Sequence, residues 1–191
     1  MRLGTAVLLS ALLVPCGAHA AMSVLGTGIA HSCYQAAEHA GTLAGEEICT
    51  VALENDALMV RDRAATYVNR GVIRSSLHRF QAALDDYNRA IDYGSHLASA
   101  DLGIAYVDRA FVLNAIGRYS EALESVNKGL SLGTARPEIA YYNRAVAEES
   151  LGNIKGAYLD YKQALALVPT FTPATEQLKR FHVVVKPADG T

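Results

Sequence analysis

The side chains through which this chain of 191 residues could do chemistry are thinly spread. Six histidines stand at His19, His31, His39, His78, His96 and His182. None falls in a His-Glu-x-x-His helix or beside a cysteine at metal-ligand spacing, so they read as solvated or capping residues. Gly26-Thr27-Gly28 begins like a dinucleotide loop, but His31 replaces the third glycine and no strand pattern precedes it. There is no Gly-x-Ser-x-Gly elbow and no phosphate loop. Asp85 and Asp86 are adjacent on a helical segment, where neighbours point apart and cannot share a substrate. Three arginines recur in register, Arg70, Arg109 and Arg144, with Asp86, Ser125 and Asp160 following. They form either a ladder of cations for an acidic ligand or a set of ion pairs between helices. An aspartate accompanies two of the three, which favours pairing within the fold. We therefore expect no catalytic residue, no metal and no cofactor.

The elements that carry these residues repeat. Asn69-Arg70-Gly71 returns as Asp108-Arg109-Ala110 and as Asn143-Arg144-Ala145, at steps of 39 and 35 residues. Ala83, Ala122 and Ala157 keep those steps, as do Ala90, Gly129 and Ala164, and a tyrosine leads each copy at Tyr67, Tyr106 and Tyr141. Apolar and small residues fall three and four apart, one face of an α-helix. The spacing predicts helix pairs over 61–76 with 80–93, 99–116 with 119–132 and 137–151 with 154–168. Gly117 and Gly152 close first helices, Pro137 opens one and Pro169 stops another. Glycine or alanine at matched heights lets paired backbones approach closely. One pair cannot bury both of its faces, so the pairs must stack. The extra length of the first step falls at 93–101, as a longer loop or an added turn.

The N-terminus reads as an address. Arg2 precedes the apolar run 6–14, Pro15 breaks it, and Ala18-His19-Ala20 offers a small-x-small cleavage site. These are the parts of a secretory signal peptide over 1–20. Its run is too short to span a membrane. Cys16 also invites a lipoprotein reading, which Pro15 disfavours. Cleavage leaves Cys33 and Cys49, an even pair consistent with one disulfide in an exported chain; two buried thiols are the alternative. Apolar residues make up 51% and charged residues 19%, enough to build a core, and the net charge of −2 carries no basic patch for nucleic acid or anionic lipid.

With its tyrosines, small residues and Pro169 in these places, the chain resembles the tetratricopeptide-repeat family. The third unit carries the landmarks best: Tyr141, Ala145, Gly152, Ala157, Tyr161, Ala164 and Pro169. The second departs, with Val126 and Gly129 where an aromatic and an alanine are usual, and the spacing exceeds the family's period of about 34. The resemblance implies an all-α, right-handed α-solenoid. Its parts would be a degenerate N-terminal pair within 21–60, three units at about 64–97, 103–136 and 138–171, and a capping helix to about 181 with a loose tail within 172–191. Shifting the first unit back by 38 residues puts Cys33 and Cys49 on facing helices of the degenerate pair.

The resemblance also implies a groove lined by first helices, for an extended peptide or a partner helix. Its residues here would be Val68, Val72, Ser75, Val107, Phe111, Asn114, Tyr142, Val146 and Glu149. Some family members grip a C-terminal carboxylate with basic and amide residues; here the matching places carry Val68, Val72 and Asp108, with Asn143 retained, so that clamp is not supported. The expected function is a non-catalytic scaffold that binds another protein or peptide in the cell envelope, in the periplasm if the host is Gram-negative. Nucleic acid and a membrane span after cleavage are not expected. The rivals are a self-assembling homo-oligomer, an accessory subunit of a secretion or cell-wall machine, and a small hydrolase for which no polar pocket is evident.

Overall fold

A computed structural model describes residues 2–4, 21–24, 28–39, 41–55 and 57–184. Its helices in chain order are α1 (Ile29–Glu38), α2 (Leu43–Asn55), α3 (Val60–Ser76), α4 (Phe80–Asp92), α5 (Ser99–Ala115), α6 (Tyr119–Ser131), α7 (Pro137–Ser150), α8 (Ile154–Leu167) and α9 (Thr172–Leu178). Helices α1/α2, α3/α4, α5/α6 and α7/α8 form hairpins. Each hairpin packs on the next through α2–α3, α4–α5 and α6–α7, and α9 closes the stack against α8. First helices also touch one another directly, α1 on α3, α3 on α5 and α5 on α7. This is the α-solenoid of helix pairs that the repeat predicts. A 3-10 turn at Gly94–His96 absorbs the extra length of the first step. The last helix ends at Leu178, three residues short of the expected boundary, and the chain turns there through Arg180 N–H to Gln177 O.

The turns inside the three repeat units are the same local structure. His78, Gly117 and Gly152 occupy equivalent places with φ of 58°, 77° and 88°. The next amide in each reaches back across the helix end, Arg79 to Arg74 O, Arg118 to Leu113 O and Asn153 to Glu148 O, all at 2.8 Å. This C-terminal cap needs a left-handed residue, which glycine adopts without steric cost. His78 holds it in the first unit at a small local penalty.

Close approach accounts for two other small residues. A Cβ on Gly71 would stand 2.7 Å from Tyr87 Cε1, so the tyrosine ring fills the space that the missing side chain leaves. A Cβ on Gly129 would lie 2.9 Å from Gly103 O, so α5 and α6 pass almost backbone to backbone. That contact explains glycine at a place where the other units carry Ala90 and Ala164. The core is one continuous cluster from Met22 to Ala147, with a second around Tyr142, Tyr161 and Ala174 under α9.

The terminal hairpin is stapled within itself by a disulfide and tied to the array by ion pairs. A disulfide links Cys33 of α1 to Cys49 of α2, both fully buried. A chain of charges crosses α2, α3 and α4: Arg74 bonds Glu46 at 2.9 Å and Asp86 at 2.8 Å, while Arg79 bonds the other oxygen of Glu46 at 2.5 Å. Outside the helices, β1 (Arg2–Gly4) pairs antiparallel with β2 (His182–Val184), so part of the segment expected to be a loose tail is paired. Residues 5–20, which hold most of the expected leader including Cys16 and the cleavage site, and residues 185–191 lie outside the described residues.

Candidate binding groove

The first helices α3, α5 and α7 lie side by side, and the nine expected groove residues fall on them. They do not form one open apolar stripe. Val68, Val72, Ser75, Val107, Asn114 and Tyr142 are buried, while Phe111, Val146 and Glu149 are partly exposed. Val68, Val72 and Val107 belong to the main core cluster and Tyr142 to the second, and the chain covers the array at both ends.

At α3 the cover is the segment Ala21–Val24. Met22 and Val24 are buried and Ser23 is exposed, the alternation of an extended strand. Asn69 holds this segment by its main chain alone. Met22 N–H donates to Asn69 Oδ1 at 2.7 Å, and Asn69 Nδ2 donates to Met22 O at 2.8 Å. Arg61 Nη1 adds a bond to Ser23 O at 3.4 Å. A side-chain amide, with one acceptor and two donors, matches a peptide unit in both directions and reads no side chain. Asn69 is absent from the groove set drawn from the sequence. Its signal was present, since it shares a register with Asp108 and Asn143.

At α7 the cover is the chain after Pro169. Tyr142 meets Phe171 edge to face with ring centroids 5.7 Å apart and lies 5.6 Å from Tyr161. Glu149 accepts from Tyr161 Oη at 3.2 Å and pairs with Arg180. Burial pushes the Tyr161 hydroxyl well above the ordinary tyrosine range, with Glu149 adding to the effect, and burial likewise raises Tyr142. Both rings therefore stay neutral and act as packing groups rather than acids or bases.

Between these covers lies the stretch over α5 and α7. Asn143 Nδ2 donates to Val107 O at 3.3 Å and Asn114 Nδ2 donates to Asn143 O at 2.8 Å, which locks the two helices together. Asn114 Oδ1 is buried and, among the described residues, has no hydrogen-bond partner. A buried acceptor without a donor is costly to leave so. Phe111 stands one turn before Asn114 on α5, and Val146 one turn after its partner Asn143 on α7.

Among the described residues, no three His, Cys, Asp or Glu side chains converge so as to hold a metal ion, and no helix is long and apolar enough to cross a membrane. Two of the recurring arginines pair with the carboxylates sixteen residues on, Arg70 with Asp86 and Arg144 with Asp160, each through two bonds. The ion-pair reading of that register thus holds in the first and third units.

Stacked hairpins with first helices aligned along one surface define a helical-repeat scaffold. A family model described as a tetratricopeptide repeat matches residues 139–171, the third hairpin with the turn after it. No curated protein matches the chain by sequence. The match and the packing of the hairpins support the tetratricopeptide-repeat family, whose members generally present surfaces to other proteins or peptides and are typically non-catalytic.

Proposed function

We propose that this protein is an exported, non-catalytic scaffold of the cell envelope. It would bind an extended segment of another protein over α5 and α7, after removal of a leader at Ala20. The observation that carries the reading is the pairing of Asn69 with Met22. It is an example, within this chain, of a first helix holding an extended main chain with apolar residues at alternate positions. The next stretch offers an acceptor in the same style, Asn114 Oδ1, flanked by Phe111 and Val146. A preformed surface of packed helices leaves most of the ordering cost with the ligand. Leader removal would also take β1 away and leave His182–Val184 without its pairing strand.

Two measurements test this. N-terminal sequencing of protein from an envelope extract should read from Ala21; an intact Met1 would contradict export by cleavage. Phe111→Glu and Val146→Glu should each abolish co-purification of the partner while circular dichroism keeps the helical signal. Val72→Glu is unsuitable, because Val72 is buried in the main core cluster. Unchanged partners from both folded variants would remove the groove from the account.

A further inference from the structure

The middle unit contains a cation with no carboxylate partner among the described residues. Arg70 and Arg144 place their charge in the same way. Nε donates to one oxygen of Asp86 or Asp160, at 3.0 and 2.6 Å, and Nη2 to the other, at 2.8 and 2.9 Å. Nη1 of each turns back to a neutral oxygen on the preceding second helix, Thr50 Oγ1 at 3.1 Å or Asn127 Oδ1 at 3.2 Å. Arg109 keeps that last contact, with Nη1 on Asn88 Oδ1 at 3.1 Å. Its aspartate is missing. Nε meets Ser125 Oγ at 3.0 Å, and that hydroxyl spends its proton on Tyr106 O at 2.8 Å. Among the described residues, Arg109 has no carboxylate within ion-pair distance, and its Nη2 has no acceptor.

Glu121 and Glu124 favour the Arg109 charge, but only from beyond ion-pair distance. Glu121 is engaged by two bonds from Arg118, and Glu124 faces solvent. Burial lowers the Arg109 pKa, whereas Asp160 raises that of Arg144 against the same effect. All three guanidiniums lie over the tyrosine ring three residues before them, Arg109 at 5.1 Å from Tyr106, but Arg109 alone of the three exchanges its lost water for neutral groups without a carboxylate. A planar fork with an unused donor is suited to a carboxylate. The approach from α4 adds exposed Asn88, while its neighbour Arg89 lies over the ring of Tyr67.

We propose that Arg109 anchors a second contact surface, on the side where α4 and α6 flank α5, and that it takes an aspartate or glutamate side chain of a protein partner. The proposal rests on the scaffold reading for there being a partner, but on none of the groove residues. The test is a titration of the full chain, ¹⁵N-labelled, followed at the arginine Nε–H signals. The probes are N-acetyl-aspartate methylamide, its asparagine counterpart and inorganic phosphate. The aspartate probe should shift the Arg109 signal to saturation and leave Arg70 and Arg144 unmoved, and the asparagine probe should move nothing. Ser125→Asp restores the internal counter-ion of the other units; it should raise the melting temperature and erase the Arg109 response. An unresponsive Arg109, equal shifts at all three arginines, phosphate saturating before the aspartate probe, or a response that survives Ser125→Asp would each overturn the proposal. The titration is expected to be the same in Phe111→Glu, so failure here and failure of the groove reading are separate results.

Discussion

Tyr87 and Gly71 illustrate how single residues set the geometry of a hairpin. The ring is fully buried and occupies the place where a side chain on residue 71 would begin. Neither partner has room to move, so Gly71→Ala should cost about 2 kcal/mol in urea denaturation; a neutral result would mean that α3 and α4 are not in contact there. Glu46 makes a second test at this scale. Burial opposes its charge, and hydrogen bonds from Arg74 and Arg79 outweigh that, holding the carboxyl below its ordinary value of 4.5. A depressed folded pKa gives stability that is complete above the unfolded value and lost as pH falls through the folded one. Glu46→Ala should therefore cost about 2 kcal/mol near neutrality and flatten the loss of stability on the acid side below pH 4.5. Thermal melts of both proteins across that range read the difference directly.

Individual hairpins were legible in the sequence to within a residue or two, because each carries its own periodicity and two of the three carry a glycine cap. Gly117, Gly152, Pro137 and Pro169 mark ends by backbone constraints that act locally. What could not be read was which faces would close. Val68 and Val72 follow the register of an exposed lining, yet they are buried in one core cluster with Met22 and Val24, where α1 packs on α3. That packing is a tertiary event with no local signature. Asn69 was hidden for a related reason: an asparagine in a helix announces neither a partner nor a direction. The disulfide is the element-scale device most open to test. Closing a loop over sixteen residues is worth about 3 kcal/mol, so Cys33→Ser/Cys49→Ser or a thiol reductant should lower stability by that order. An unchanged melt under reductant would mean that α1 and α2 are held by packing alone.

Across the whole molecule, the array is a stack whose ends are treated differently from its middle. The first unit is sealed by a covalently stapled hairpin and an extended segment, and the third by α9 and the aromatic contacts of Phe171 and Phe181. Repeat stacks need such ends, since a terminal pair has an apolar face without a neighbour. The middle unit departs from its siblings at Ser125, Val126 and Gly129, and the least covered part of the first-helix surface adjoins it. A scaffold of this design is expected to meet its partner at the centre, with the ends holding the geometry.

The most direct test of that claim is a photo-reactive amino acid placed at Val146, with a second protein carrying it at Leu159, an exposed residue of α8. Irradiation of cells should give a discrete adduct from position 146 that disappears with Phe111→Glu, and none from position 159. Adducts of equal yield from both positions, or an adduct at 146 that persists when Phe111 is replaced, would contradict a partner held along the first helices.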